Sequence, residues 1–196
     1  MVTTIHDPGR RAVITALGML GSAAACGQSE GEWRRSGSRT LVAYFSRSGN
    51  TRVVAGLIHR GRGADLFEIR PAKPYPEDYL ETVAQAQKER DSGYQPALET
   101  TVSSMAAYDT IYLGFPIWGE TAPPVIRSFL SMHDLSDKTL VPFVTHGGYG
   151  MGNSQSVLAN HAPRARLHSG FVMEANQERR TMERVTSWLK GNRTEG

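Results

Sequence analysis

From residue 40 onward the chain alternates short runs of β-branched and aromatic residues with longer segments of helical periodicity. This alternation predicts an α/β fold, in which parallel strands form one sheet and helices cover both of its faces. The predicted strands are 40–45, 64–70, 110–115, 139–145 and 167–172, and the predicted helices are 50–59, 77–90, 124–132, 153–160 and 177–190. The pattern therefore predicts a doubly wound five-stranded parallel sheet with strand order 2-1-3-4-5.

The first 26 residues differ in character from the rest of the chain. Arg10 and Arg11 precede a mostly apolar run over 12–25, and Cys26 follows that run directly. The run has 14 residues, whereas a membrane-spanning helix needs about 20. We therefore interpret 1–26 as an export signal. The arginine pair resembles a twin-arginine signal, and the residues up to Cys26 resemble a lipobox, which would make Cys26 a lipidation site.

Two fates after export stay open. The alanines at 23–25 also satisfy an ordinary Ala-x-Ala cleavage site, so the product is either a cell-envelope lipoprotein or a secreted protein. Residues 27–39 are rich in Gly, Ser, Arg and Glu and predict a flexible tether. The folded domain is predicted over 40–190, with a short tail over 191–196.

Composition and missing motifs exclude several classes of protein. No cysteine follows Cys26, which excludes disulfides, iron–sulfur clusters and thiolate nucleophiles from the mature domain. The formal net charge of +3 is spread along the chain and gives no sign of a nucleic-acid surface. The six histidines show no metal-ligand spacing. The sequences typical of nucleotide hydrolases, dinucleotide-binding folds and serine hydrolases are absent as well.

Ligands of such sheets bind beyond the carboxyl ends of the strands, where the strand order reverses. The first predicted strand is followed there by Ser46, Arg47, Ser48, Gly49, Asn50 and Thr51. Hydroxyl groups and the free N–H groups of a helix N-terminus form a site for a dianionic phosphate. Because the helix terminus supplies charge compensation, we expect Arg47 to point to solvent. The alternative is an ordinary helix cap by Ser48 or Asn50.

The loops after the third and fourth strands complete this edge of the sheet. The first of them contains Pro116, Ile117, Trp118 and Gly119, and the second contains Thr145, His146, Gly147, Gly148 and Tyr149. Trp118 and Tyr149 could each present a flat face to a planar ligand, and the glycines would let the backbone follow the edge of a heterocycle. The alternatives are a packing role for Trp118 and a mobile surface loop around Tyr149.

The three loops together resemble those of bacterial flavodoxins. The matching segments read Tyr-Phe-Ser-Arg-Ser-Gly-Asn-Thr over 44–51, Gly-Phe-Pro-Ile-Trp over 114–118 and Thr-His-Gly-Gly over 145–148. The resemblance covers about 40–190 and implies a flavodoxin-like fold. It further implies noncovalent FMN, with the phosphate held by Ser46, Ser48, Asn50 and Thr51 and the ring between the Trp118 and Tyr149 loops.

Three functions are compatible with this resemblance. The first is an electron carrier that docks with redox partner proteins, and the short connection between the fourth and fifth strands favours it. The second is an FMN-dependent reductase of quinones or similar small acceptors that uses NAD(P)H. The third is a binding module without flavin. The sequence alone does not separate them.

Overall fold

The computed structural model describes residues 32–33, 38–174 and 178–191. The predicted export signal over 1–26, Cys26 included, lies outside these residues, as do most of the tether and residues 192–196 of the tail. Of the part described, no helix has the length and apolarity to cross a membrane.

One sheet forms the centre of the molecule. Its strands are β1 (Glu32–Trp33), β2 (Thr40–Tyr44), β3 (Asp65–Glu68), β4 (Thr110–Pro116), β5 (Thr139–His146), β6 (Arg166–Leu167) and β7 (Phe171–Glu174). The order is β1-β3-β2-β4-β5-β6, with β7 also paired to β5, and every pair is parallel except β1 with β3. The predicted strands 1 to 5 correspond to β2, β3, β4, β5 and the β6–β7 pair. The predicted order 2-1-3-4-5 is thus confirmed.

Five α-helices flank the sheet in the part of the chain that the structure describes. They are α1 (Asn50–Arg62), α2 (Tyr79–Ser92), α3 (Pro124–Met132), α4 (Ser154–His161) and α5 (Glu178–Gly191), and a 3-10 turn over Met105–Ala107 precedes β4. Alternate residues of β2 enter two separate cores, since Leu41 and Ala43 pack with Phe129 of α3 while Val42 packs with Ile58 of α1. Helices therefore bury both faces of the sheet, as a doubly wound fold requires.

The predicted fifth strand is two short strands, β6 and β7. Three residues over 168–170 lie opposite two residues of β5, Val141 and Pro142, so the pairing register shifts by one residue. Pro142 has no N–H group to donate to a ladder, and Gly170 approaches so closely that a Cβ there would overlap the carbonyl oxygen of Pro142. A proline inside β5 thus explains why the neighbouring strand is interrupted by a bulge.

The second predicted strand, β3, has the alternating pattern of an edge strand. Instead of lying at the edge, it pairs antiparallel with β1, Glu32 opposite Phe67 and Trp33 opposite Leu66. A strand of two residues is too short to show a periodicity, and it falls in the segment predicted as a tether. For this reason β1 has no signal in the sequence.

Candidate functional site

The loop after β2 leads directly into α1, whose N-terminal cap is Gly49 in the left-handed conformation (φ 92°). The first intrahelical bond runs from the N–H of Val53 to the carbonyl oxygen of Gly49 (3.1 Å). The N–H groups of the helical residues before Val53 therefore have no acceptor within the helix. No side chain of the described residues caps them, so the alternative of an ordinary cap by Ser48 or Asn50 is wrong. Free N–H groups at a helix N-terminus are an arrangement that suits an anion.

Ser46 fixes the shape of this loop, because its Oγ accepts a hydrogen bond from the N–H of Gly49 at 3.1 Å. The hydroxyl proton of Ser46 stays available for a ligand. No acidic residue occupies the first turn of α1, so nothing there opposes the positive end of the helix dipole.

The arginines nearest the loop already have partners. Arg47 is exposed but does not simply point to solvent, because its Nη2 donates to the carbonyl oxygen of Glu77 at 2.6 Å and its guanidinium lies 5.9 Å from the ring centroid of Tyr79. Arg52 donates to Glu68 at 2.7 Å, and Arg70 donates to the same carboxylate at 2.8 Å. Partial burial acts to raise the pKa of Glu68, but these two hydrogen bonds outweigh it and hold that pKa below its usual value.

Thr51 faces the sheet rather than the open cleft. It is 1% exposed, and its Oγ1 lies 2.9 Å from the Oγ1 of Thr145 at the end of β5. One hydroxyl donates to the other, so only one of the two protons remains for a further acceptor. The pair couples the loop after β2 to the loop after β5.

The loop after β4 closes as a tight turn over residues 118–121. The N–H of Trp118 donates to the carbonyl oxygen of Thr121 (3.0 Å), and Thr121 returns a hydrogen bond of 3.3 Å to Trp118. Both central residues are left-handed, with φ 55° at Gly119 and φ 63° at Glu120, the geometry of a type I′ turn. The N–H of Asn153 donates to the Glu120 carbonyl at 2.9 Å and ties the turn to the start of α4.

Two aromatic rings pack against the indole of Trp118. It meets Phe45 edge-on at 5.3 Å and Tyr75 edge-on at 4.9 Å between ring centroids. The Tyr75 hydroxyl donates to the buried Glu89 carboxylate at 2.8 Å, and burial together with this bond raises the pKa of Tyr75. Trp118 therefore packs against other aromatic residues, as the alternative interpretation predicts, and it also lines the cleft.

The loop after β5 is open at its tip. The Nδ1 of His146 accepts a hydrogen bond from the N–H of Gly148 at 3.0 Å, and Gly148 adopts φ 113°. The side chain of Tyr149 is 65% exposed. The backbone of this loop thus turns sharply beside the end of β5 and leaves an aromatic ring at the rim.

The three loops surround a cleft of about 670 Å³. Of the predicted site residues, the cleft is lined by Arg47, Ser48, Asn50, Pro116, Ile117, Trp118, Gly119, Thr145, His146, Gly147 and Tyr149. Ser46, Gly49, Thr51 and Gly148 shape the loops but do not line the cleft. The volume is in the range of small-ligand pockets.

Sequence reasoning missed one wall of the cleft, which belongs to α2. The lining residues are Tyr79, Thr82, Val83, Ala86, Gln87 and Arg90. Their spacing of three and four residues places them on one face of the helix. That stripe is visible in the sequence, but its mixed polar and apolar composition gives no sign of what it faces.

A second cavity, of about 480 Å³, lies between the C-terminal ends of α3 and α4 and contains His133 and His161. His133 accepts from the N–H of Val102 (3.0 Å) and bonds to the carbonyl of Phe129 (2.7 Å), and His161 bonds to that of Val157 (3.0 Å). These contacts are structural. Across the ranges that the structure covers, no group of three His, Cys, Asp or Glu residues is arranged to hold a metal ion.

Comparisons with known proteins agree with this architecture. A protein from Bacteroides uniformis that has been assigned as a flavoprotein is 35% identical, with 79% of this chain and 99% of that chain covered and a TM-score of 0.70. A protein of the same assignment from Bacteroides eggerthii is 32% identical, covering 78% and 96%, with a TM-score of 0.68. A flavoprotein from Lactobacillus acidophilus, solved in complex with FMN, shares the fold at 22% identity, covering 74% and 98%, with a TM-score of 0.58. No protein of curated function matches the chain.

The sequence model of the flavodoxin family matches residues 39–192. This range contains all three loops of the cleft and every strand except β1. On the fold, the site and this match, the chain belongs to the flavodoxin family.

Proposed function

We propose that this protein binds FMN noncovalently in the cleft and acts in electron transfer. The observation that carries the proposal is the uncapped N-terminus of α1, which opens onto the same cleft as the Trp118 and Tyr149 loops. A phosphate site and two aromatic residues beside one cleft suit a phosphorylated, planar cofactor. FMN, the cofactor that the flavodoxin family implies, has this chemistry and supplies the ability to accept and pass on electrons.

The residues present fit each part of FMN. The free N–H groups at the start of α1 and the hydroxyls of Ser46 and Ser48 would hold the phosphate. Gly49 leaves room for it, because a Cβ at this position would meet no atom within 4 Å. The Thr51–Thr145 pair has one remaining hydroxyl proton to offer. Trp118 and Tyr149 would flank the ring.

A second candidate function is the FMN-dependent reduction of a small acceptor with NAD(P)H. The observation that favours it is the α2 wall, which makes the cleft deeper than the three loops alone would. A carrier needs only an exposed flavin edge, whereas a reductase needs a pocket for a substrate beside the flavin. Electron transfer through FMN is common to both candidates.

Flavin binding tests the proposal. We expect the purified protein to bind FMN much more tightly than riboflavin, measured by quenching of flavin fluorescence, because riboflavin lacks the phosphate. Ser48→Ala should weaken FMN binding about tenfold, the effect of one hydrogen bond to a charged group. Ser131→Ala, an exposed residue at the end of α3, is the matched control and should bind FMN like wild type.

Two results would overturn the proposal. Equal affinity for riboflavin and FMN would show that the loop after β2 is not a phosphate site. Failure to bind either flavin would identify the protein as a binding module without flavin.

A further inference from the structure

The charged residues that line the cleft are both arginines. They are Arg47 and Arg90, and no Asp or Glu among the described residues lines it. One cation is accounted for, since Arg47 is bonded to the carbonyl of Glu77 and stacked on Tyr79. Arg90 is therefore the charged residue of the cleft that has no role at the proposed phosphate site.

Helix α2 keeps these two cations apart. Its first residue, Tyr79, lies against Arg47 beside the phosphate loop. Arg90 lies eleven residues later on the same face, which corresponds to about 16 Å along the helix at 1.5 Å per residue. There its guanidinium packs on Gly119, where a Cβ would overlap Nη1. Arg90 thus lies at the Trp118 end of the cleft, far from the phosphate site.

The guanidinium of Arg90 has unused donors. Its Nε donates to the exposed Asp91 carboxylate at 3.1 Å, while neither Nη atom makes a hydrogen bond to any residue in the described ranges. The side chain is 30% exposed, so it has lost part of its hydration. A planar cation with two free N–H edges in a cleft is suited to a carboxylate or phosphate group.

The α2 wall between the two arginines presents apolar and aromatic surface to the cleft. On this wall Val83 is 44% exposed and Tyr79 is 67% exposed, although both line the cleft. The ring of Tyr79 and the side chain of Val83 offer contact area to a planar molecule that lies along α2. A cation at one end of such a wall suits a planar aromatic molecule with an anionic group.

We propose that α2 forms a substrate subsite beside the FMN site, in which Arg90 binds the anionic group of a small planar aromatic electron donor or acceptor. This inference rests on the proposed function, because it assigns the small-molecule partner of the same cleft. It also favours a small anionic aromatic substrate over a docked protein as the immediate redox partner.

Binding of a matched pair of probes to the FMN-loaded protein tests the subsite. The probes are 2-naphthoate and its neutral analogue 2-naphthamide, followed by calorimetry and by the change in the visible flavin spectrum. We expect wild type to bind the carboxylate more tightly than the amide. Arg90→Gln should weaken 2-naphthoate about tenfold to a hundredfold and change 2-naphthamide by less than threefold.

Two further variants separate charge from geometry. Arg90→Lys keeps the charge but loses the planar pair of donors, so it should fall between wild type and Arg90→Gln. Lys88→Gln removes an exposed charge on the same helix, outside the cleft, and should bind both probes like wild type. Circular dichroism and the FMN dissociation constant of every variant show whether the fold and the flavin site are intact.

The outcomes distinguish this inference from the proposed function. A protein that binds no FMN overturns both. A protein that binds FMN normally but binds the two probes equally, or binds 2-naphthoate equally well after Arg90→Gln, overturns the subsite alone. A loss of FMN affinity in Arg90→Gln as large as the loss of 2-naphthoate affinity would place Arg90 in the flavin site and also overturn the subsite.

Discussion

Gly152 decides how closely the loop before α4 approaches the Trp118 turn. Its φ is 53°, and a Cβ at this position would overlap the carbonyl oxygen of Glu120. The same carbonyl accepts the N–H of Asn153. A residue without a side chain is therefore required where the two loops meet.

We expect Gly152→Ala to lower the free energy of unfolding by about 2 to 4 kcal/mol. The left-handed backbone contributes about 1 to 2 kcal/mol of this and the overlap with Glu120 the rest. Urea denaturation measures the change. The control is Gly147→Ala in the same glycine-rich loop, because a Cβ at Gly147 meets no atom within 4 Å and its φ is not left-handed. Equal stability of the two variants would contradict the close approach at Gly152.

At the scale of elements, α3 is tied to the segment before β4 through one histidine. His133 follows the last residue of α3, accepts the N–H of Val102 on its Nε2 and bonds through Nδ1 to the carbonyl of Phe129. This arrangement needs the neutral ring with its proton on Nδ1. Burial lowers the pKa of His133 below the ordinary value of 6.5, although the bond to Phe129 acts in the opposite direction.

The lowered pKa of His133 makes the stability dependent on pH. Between the lowered pKa and about 6.5 the unfolded chain binds a proton at this residue that the folded chain does not. The stabilising contribution is therefore complete above about pH 6.5, decreases as the pH falls, and is lost below the folded pKa. We expect the urea midpoint of wild type to fall from pH 7.5 to pH 5 more steeply than that of His133→Gln.

Glutamine is the matched control because its amide accepts and donates hydrogen bonds without titrating in this range. The two proteins carry the same other titratable residues, so we assign the difference between the two curves to His133. Parallel curves would show that His133 does not carry this pH dependence.

At the scale of the whole molecule, the export signal predicted over 1–26 bears on where the protein is located. We propose that the full chain is exported and attached to a membrane through a lipid on Cys26. Cys26→Ala should move the protein from the membrane fraction to the soluble fraction, or leave it unprocessed with lower electrophoretic mobility. Immunoblots of fractionated cells measure both effects.

Replacement of Arg10 and Arg11 by lysine is the companion experiment, since it tests the twin-arginine resemblance without touching Cys26. Unchanged export would argue for transport of the unfolded chain. If Cys26→Ala fractionates and migrates like wild type, ordinary signal cleavage and secretion explain the leader better than lipidation.

The sequence by itself determined the order of the elements and the three loops of the cleft. Strands and helices have different periodicities, so local pattern predicted the five α-helices of the described residues, and α3 has the predicted bounds. The carboxyl ends of parallel strands share one edge of the sheet, so the sequence pattern alone brings together loops that lie far apart in the chain. Eleven of the fifteen proposed contact residues line the cleft for this reason.

Tertiary structure alone decided the rest. The interrupted fifth strand depends on Pro142 in a neighbouring strand, and the antiparallel β1 is too short to carry a pattern. The pairing of Thr51 with Thr145 joins residues 94 positions apart. The position of α2 over the cleft follows from packing, because periodicity states which residues share a helix face but not what that face meets. For the same reason Arg90, an ordinary last-turn arginine in the sequence, becomes a candidate binding residue only in the folded chain.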